Sequence, residues 1–167
     1  FRSHPGKVWK MLLEMDHLLS SAAPNPAHFA IAELEQRGLV RCVITQNVDS
    51  LHQRAGSRNV IEFHGSGRTL RCDRCGSKIS RDGLTLKTLP HTCSCGGPIR
   101  PDFVFFGEDI PSEAYRGAFE AAQQCDLMLV VGTSASVAPA SQLPHVAKEA
   151  KARVVVVNPE KKRRCWL

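Results

Sequence analysis

The sequence predicts an α/β domain built on a doubly wound, mostly parallel sheet, with a small inserted module. Short apolar runs alternate with amphipathic stretches along most of the chain, as strands that alternate with helices do. Two runs, Leu127–Val131 and Val154–Val157, are apolar at every position, as expected of parallel strands covered on both faces. Residues 68–100, which precede both of these runs, are basic and rich in cysteine and glycine. We therefore expect a larger domain of residues 1–67 and 101–167 and an inserted module of residues 68–100.

The spacing of apolar and capping residues places the individual elements. Apolar residues at Val8, Leu12 and Met15 predict a helix over Lys7–Leu19. A second helix is expected after Asn25 and Pro26, a capping residue followed by a proline, and it should stop at Gly38. Strands are expected over residues 40–45, 60–63, 103–106, 127–131 and 154–157, and further helices over 50–55, 111–124 and 139–150.

Composition limits the classes of protein. The 167 residues fit one domain with a small insertion, and a hydrophobic content of 43% is enough for a core. Because no apolar run approaches about 18 residues, no membrane span is expected. The first residues are polar and basic, so we expect no signal peptide. Seven cysteines, four of them in two close pairs, favour a reduced intracellular protein with a metal site over a secreted disulfide scaffold.

The net charge of +6 is moderate, and part of it comes from the run Lys161–Arg164. Such charge blocks are usually solvated tails, and we expect the same here. Nuclear targeting or contact with an acidic partner is the alternative interpretation. Contact with nucleic acid is possible on charge alone, but no motif supports it.

The inserted module carries the most specific motif, Cys72-x2-Cys75 followed by Cys93-x-Cys95. Four thiolates complete the tetrahedral coordination of zinc and leave no open position, which indicates a structural site. Thiol redox chemistry is the competing interpretation, although a redox CxxC is expected at a helix start in a βαβ unit. His91 could replace one ligand but is better explained as a loop histidine. The other cysteines, Cys42, Cys125 and Cys165, are interpreted as small core or terminal residues.

Polar residues follow several of the predicted strands. Ligands bind at the carboxyl ends of parallel strands, so these residues are candidates for a ligand site. Each also has a simpler explanation, since Gly-Thr-Ser and Asn are common in turns and Asp49 can cap a short helix. A histidine with a pKa near neutrality can act as a proton acceptor. No GxGxxG fingerprint is present, so an ordinary dinucleotide dehydrogenase is not supported. The candidates are Gln46, Asn47, Asp49, His64, Gly132, Thr133, Ser134 and Asn158.

Five motifs in this order are similar to the sirtuin family of NAD-dependent protein lysine deacylases, over Pro24–Asn158. The family has a Rossmann-like domain with an inserted zinc module. The motifs are Thr45-Gln46-Asn47-Val48-Asp49-Ser50-Leu51-His52, Glu62-Phe63-His64-Gly65-Ser66, the paired cysteines, Arg100-Pro101-Asp102-Phe103-Val104-Phe105-Phe106-Gly107-Glu108, and Gly132-Thr133-Ser134.

The resemblance implies a role for each matching residue. His64 would be the general base, and Cys72, Cys75, Cys93 and Cys95 would be the structural zinc ligands. The implied products are free lysine, nicotinamide and O-acyl-ADP-ribose. The implied substrate is an acylated-lysine protein or peptide, bound by Val104, Phe105, Phe106, Gly107 and Glu108. The implied NAD-binding residues are Phe1, Arg2, Gln46, Asn47, Asp49, Gly132, Thr133, Ser134 and Asn158.

The family also has a glycine-rich phosphate loop before the segment that Phe1–Ser3 resembles, and an adenine-binding loop after the position of Asn158. Neither is found in this sequence, so we expect the chain to be truncated at both ends. Two alternatives to a deacylase follow. One is a zinc-stabilised binding module with impaired catalysis, and the other is mono-ADP-ribosyl transfer at the same site.

Overall fold

Helices and strands alternate over residues 112–157, as the sequence predicts, whereas the described residues between 60 and 103 contain four strands and no helix. A computed structural model describes residues 5–80 and 92–159, and only the backbone of residues 5 and 16–20. Its helices are α1 (Pro5–Ser21), α2 (Pro26–Gln36), α3 (Leu51–Arg54), α4 (Ser112–Gln124) and α5 (Leu143–Glu149), with a 3-10 turn at Ala140–Gln142. Its strands are β1 (Val43–Thr45), β2 (Val60–Glu62), β3 (Gly65–Cys72), β4 (Lys78–Ser80), β5 (Ile99–Phe103), β6 (Leu127–Val131) and β7 (Arg153–Val157).

The chain divides into two compact units, Phe1–Asp109 and Ile110–Leu167. The predicted limits of the inserted module, residues 68 and 100, remain a prediction. Expectations for Phe1, Arg2, His91 and Lys161–Arg164 fall outside the described residues. In the part of the chain that the structure covers, no helix is long and apolar enough to cross a bilayer.

The first unit contains a parallel pair, β1 with β2, which aligns Val43 with Val60. The pair continues beyond the strands, because the Phe63 N–H donates to the Thr45 carbonyl at 2.8 Å. Before β1, α2 begins as predicted: the Asn25 side chain accepts from the backbone of Ala27 and His28, which satisfies the free N–H groups of the first turn. Both strands therefore end side by side, and the polar residues after them emerge at one edge.

A second sheet in this unit is antiparallel and has the order β4-β3-β5. Helix α1 covers it through Trp9 and Leu12, which pack with Leu70 of β3 and Ile99 of β5. The indole of Trp9 is 1% exposed, and its Nε1–H donates to the Ile99 carbonyl at 3.0 Å. The cysteine-rich segment thus obtains part of its apolar core from a helix far away in sequence.

Strand β5 differs from the prediction of a strand over 103–106. It spans Ile99–Phe103, and the chain turns after it. Arg100 and Pro101 weakened the strand signal in the sequence, but β5 is an edge strand, where proline is tolerated because one side needs no ladder hydrogen bond.

The pairing of β3 with β5 requires a glycine at position 65. Gly65 pairs with Phe103 and has φ +79°. A Cβ atom there would lie 2.3 Å from the Asp102 carbonyl oxygen. Only glycine combines this backbone angle with so close an approach, so the two strands meet directly beside His64.

Arg100 is a charged side chain with only 1% exposure. Its guanidinium donates two hydrogen bonds to the Glu108 carboxylate, at 2.5 and 2.7 Å, and one to the Phe103 carbonyl at 2.8 Å. Asp73 lies 3.7 Å away, and the Phe105 ring centroid lies 4.5 Å from Cζ. These partners offset the cost of burying a charge.

In the second unit, β6 and β7 form a parallel pair in register from Leu127 and Arg153 to Val131 and Val157. Val130 and Ala147 are buried between this pair and α5. On the opposite face the second unit, as far as it is described, leaves apolar side chains exposed, against the expectation of strands covered on both faces: Leu127, Leu129, Val131, Val155 and Val157 are 41–53% exposed. Because every position is apolar, the sequence could not show which face is covered.

The contact of α1 with β5 predicts the effect of Trp9→Phe. This substitution keeps most of the apolar volume but removes the donor to the Ile99 carbonyl. A buried acceptor without a partner costs about 1–3 kcal/mol, so the free energy of unfolding should fall by that amount. Urea denaturation measures it. The control is Met11→Leu on the same helix, where the side chain is 54% exposed and the change should stay within about 0.5 kcal/mol. Equal losses in both variants would contradict the role of the indole N–H.

The Arg100–Glu108 pair predicts a pH dependence. Hydrogen bonding from Arg100 lowers the pKa of Glu108 from its ordinary 4.5 to about 2. Since the pKa is lower in the folded state, the carboxylate stabilises the fold above pH 4.5 and loses that effect as the pH falls toward 2. Glu108→Gln should lower the free energy of unfolding at neutral pH by about 1–2 kcal/mol, allowing for solvent screening.

The difference in the free energy of unfolding between Glu108→Gln and the parent should fall to zero as the pH decreases from 4.5 toward 2. Urea denaturation at each pH measures this difference. Protonation of other groups affects both proteins and cancels in the difference. Glu120→Gln is the matched control, since Glu120 forms an exposed pair with Arg116 at 4.0 Å. Its difference from the parent should be near zero at every pH. If the free energy of unfolding of Glu108→Gln stays below that of the parent by a constant amount down to low pH, the ionised Glu108 carboxylate is not the cause of the difference.

Candidate functional site

His64 follows β2 and joins the two sheets of the first unit. Its Nδ1 lies 3.2 Å from the carbonyl oxygen of Gln46, which follows β1. Its own carbonyl accepts from the Val104 N–H at 2.8 Å. Phe63, which is fully buried, packs against the imidazole with 5.6 Å between ring centroids. The structure therefore brings together three predicted site residues, Gln46, His64 and Val104.

The contact with Gln46 determines the form of the neutral imidazole. A carbonyl oxygen can only accept, so Nδ1 must carry the hydrogen. The lone pair of the neutral ring is then on Nε2, which can accept a proton from a hydroxyl group. The imidazole is half-buried, so it is held by the protein yet can still be reached.

The three polar residues after β1 have different surroundings. The backbone N–H of Asn47 donates to the buried Thr45 hydroxyl at 3.1 Å, which fixes the turn. The Asp49 carboxylate accepts from the Leu51 N–H at 2.9 Å, although the N-cap residue of the short helix α3 is Ser50. Among residues 5–80 and 92–159, no hydrogen bond is found to the side-chain amides of Gln46 and Asn47. These two amides are available for a ligand.

The segment Val104–Glu108 forms a turn after β5. The Glu108 N–H donates to the Phe105 carbonyl at 3.0 Å, and the Phe105 N–H donates to the Glu108 carboxylate at 3.0 Å. Gly107 has φ +84°, which closes the turn, and Phe106 is 100% exposed. The turn is thus rigidly held at its base and presents an aromatic side chain at its tip.

The second unit holds its own group of predicted residues, at the ends of β6 and β7. The Gly132 N–H donates to the Val157 carbonyl at 3.0 Å, and the Asn158 side-chain amide donates to the Thr133 carbonyl at 2.9 Å. The Ser134 hydroxyl lies 2.7 Å from that of Ser136. These contacts fix a turn with several hydroxyl and backbone groups, a suitable set for phosphate or ribose oxygens.

The four predicted metal ligands, Cys72, Cys75, Cys93 and Cys95, lie together, with all sulfurs within 4.8 Å of one another. Cys72 and Cys95 are 3.4 Å apart and Cys75 and Cys93 are 3.8 Å apart. Tetrahedral zinc with bonds of about 2.3 Å requires sulfur separations of about 3.8 Å, so the cluster fits the ion.

The backbone around the sulfurs supports negative charge on them. The N–H groups of Arg74 and Gly97 point to the sulfurs of Cys72 and Cys95, each at 3.4 Å. A Cβ atom on Gly97 would lie 2.7 Å from the Cys72 sulfur, so only glycine fits this turn. The arrangement suits thiolates that bind a divalent cation.

The sequence did not identify the importance of Arg100 or Trp9. Arg100 was part of a motif but had no assigned role, and no pattern in the sequence around it, Ile99–Phe103, indicates that its charge is buried. Trp9 lies on a predicted helix, and nothing in its spacing identifies the distant Ile99 as its partner. Thr45 was quoted only as the start of a motif, yet its hydroxyl fixes the turn at Asn47.

The Sir2 family model matches residues 1–139 of the chain. The chain is 51% identical over 160 residues to "NAD-dependent protein deacylase 2" of Pyrobaculum aerophilum, a match that covers 96% of this chain and 64% of that protein. A solved structure of "Sir2 bound to acetylated peptide" is similar with a TM-score of 0.91 and 39% identity, covering 96% of this chain and 69% of that chain. The structure "Sir2-p53 peptide-NAD+" gives a TM-score of 0.90 at 39% identity, with coverages of 96% and 69%.

The chain thus spans 64% of the length of the Pyrobaculum relative. The structural neighbours are sirtuins, and with the parallel strand pairs they confirm a Rossmann-like α/β fold. The clustered cysteines agree with the predicted zinc module. On the extent of the family match, this chain belongs to the Sir2 family, the sirtuins.

Proposed function

We propose that the protein containing this chain removes acyl groups from lysine side chains at the expense of NAD, giving nicotinamide and O-acyl-ADP-ribose. One observation carries the proposal: Gln46 holds the His64 imidazole in the tautomer that leaves Nε2 free to accept a proton. The Pyrobaculum relative is named an NAD-dependent protein deacylase, and this supports the deacylase over a non-catalytic module.

His64 is proposed as the general base. With Nδ1–H donating to a backbone carbonyl, Nε2 would accept a proton from a ribose hydroxyl placed beside it. The resulting imidazolium would be stabilised by the same carbonyl, since that hydrogen bond becomes charge-assisted. The backbone bond from Val104 fixes the histidine relative to the turn proposed to bind substrate.

Two groups of residues are proposed to hold NAD. The free amides of Gln46 and Asn47 suit the carboxamide and ribose of nicotinamide, because an amide both donates and accepts. The turn of Gly132, Thr133 and Ser134, with Asn158, suits phosphate and ribose oxygens. A Cβ atom on Gly132 would meet nothing within 4 Å, so a ligand can approach this backbone. When bound, NAD would supply the ribose carbon that receives the acyl oxygen as nicotinamide leaves.

The turn Val104–Glu108 is proposed to bind the acyl-lysine segment. Its backbone is extended up to Phe103 and then fixed, so a peptide could lie along it. The apolar side chains of Val104, Phe105 and Phe106 would exclude water from the acyl group. One structural neighbour contains an acetylated peptide, which supports this class of substrate.

The cysteine cluster is proposed to hold zinc as a structural ion. Four sulfur ligands leave no position for a substrate or a water, so the ion would stabilise the module and take no part in the reaction. Four thiols at these distances also support a reducing intracellular compartment.

The substitution His64→Gln tests the general base. In the protein produced at its full natural length, kcat for NAD-dependent deacetylation of an acetyl-lysine peptide should fall by about 100-fold or more. Nicotinamide release and the mass of the peptide are measured together. The Kd for NAD, determined by calorimetry, should change little, since the variant loses only the proton acceptor.

His145→Gln is the control, because this histidine lies on α5 away from the proposed general base in sequence and role. It should leave kcat within about twofold. The general-base assignment is wrong if His64→Gln retains the parent rate. The deacylase proposal itself is wrong if the parent releases no nicotinamide and removes no acetyl group.

Metal analysis tests the cysteine cluster. We expect elemental mass spectrometry to find one zinc ion per chain. Removal of the ion with a chelator should lower Tm by roughly 10 °C or more, because binding of a structural ion contributes directly to folding. Cys75→Ser should lose the metal. Cys125→Ser, which changes a cysteine hydrogen-bonded to Ala122 outside the cluster, should keep it. Full zinc content in Cys75→Ser would exclude Cys75 as a ligand.

A further inference from the structure

We propose that Arg100 is a positioning residue for the acyl-lysine substrate, because it fixes the turn Val104–Gly107 through the carboxylate of Glu108. This inference rests on the proposed function for the identity of the substrate. It assigns a role to a side chain that lies beneath the turn and would itself touch neither NAD nor peptide.

The argument begins with the burial of the charge. A guanidinium at 1% exposure is retained only where hydrogen bonds and opposite charges surround it. Its partners lie on both sides of the turn and within it: Phe103 accepts one hydrogen bond, the Phe105 ring packs against the guanidinium, and Glu108 accepts two hydrogen bonds. One planar group therefore contacts three positions over six consecutive residues.

Glu108 transfers this constraint to the backbone. Its carboxylate, which lies against Arg100, also accepts the Phe105 N–H at 3.0 Å. The preceding amide, that of Val104, donates to the His64 carbonyl at 2.8 Å. Two successive amides are thus held, one by the residue proposed as general base and one by Arg100 through Glu108. A shift of the carboxylate would move the turn relative to His64.

Arg100 also contacts Asp73, a residue beside the cysteine cluster. Asp73, 3.7 Å from the guanidinium, directly follows Cys72, and its N–H donates to the Pro98 carbonyl at 2.9 Å. Arg71 adds a second positive charge 3.9 Å from Glu108. Arg100 therefore links the turn to the segment that carries Cys72, and Arg71 adds to the positive charge around Glu108.

Arg100 would make the same contacts if it only stabilised the fold. The experiment must therefore distinguish a change in peptide binding from a loss of folding stability. Arg100→Lys keeps the charge but loses the planar fork that binds both carboxylate oxygens. We expect KM for the acetyl-lysine peptide to rise about tenfold, while KM for NAD stays within about twofold, since only the peptide meets the turn. Glu108→Gln, which keeps an acceptor but loses the charge, should change the same constant in the same direction.

Hydrogen exchange gives a second readout that needs no turnover. In Arg100→Lys, the amides of Val104 and Phe105 should exchange about tenfold faster than in the parent, while amides of β6 and β7 should be unchanged. Lys78→Gln is the matched control, because it removes a positive charge that pairs with Asp102 at 2.9 Å on the same sheet but does not touch Glu108. Both readouts should keep their parent values in this control.

The inference is overturned if Arg100→Lys keeps the parent KM for the peptide. It is also overturned if KM for peptide and NAD rise together in proportion to a loss of Tm, which is the result of general destabilisation. If the parent shows no deacylation, the proposed function fails separately. Hydrogen exchange then decides the positioning role. If the amides of Val104 and Phe105 exchange at the parent rate in Arg100→Lys, Arg100 does not position the turn.

Discussion

The antiparallel pairing of β3 with β5 is the constraint on which the first unit depends. At one end of this pair Cys72 faces Ile99, beside the cysteine cluster, and at the other end Gly65 faces Phe103, beside His64. The register shifts between Ser66 and Leu70, so the pairing is irregular between these two ends. Because one strand pair carries both ends, a metal site and a proposed general base are held in one rigid frame.

Each group proposed for chemistry is held by the backbone of a neighbouring segment. His64 is oriented by a carbonyl from the residue after β1, and the turn proposed to bind substrate is fixed by the carbonyl of His64 and by Glu108. Carbonyl and amide groups have no rotamers, so they hold a side chain more firmly than another flexible side chain would. This explains how strands of only three residues, β1 and β2, can position a site precisely enough for proton transfer.

Local signals allowed much of this fold to be predicted. The capped helix at Asn25 depends on neighbouring residues and the cysteine cluster on a strict spacing, and the structure contains both. Strands β3 and β4 lie where no strand was expected. The extent of β5 and the covering of the cysteine-rich sheet by Trp9 could not be predicted, because both depend on partners distant in sequence. The partners of Arg100 could not be predicted either, because Glu108 approaches the guanidinium only through the fold of the turn.

The open face of β6 and β7 has a consequence for the protein in the cell. The strand Val154–Val157 is an uncharged run of valines, and among the strands that the structure describes it pairs only with β6. Such segments are the usual starting points of amyloid-like self-association when their edges stay accessible. Covering this apolar face would therefore suppress self-association of the chain.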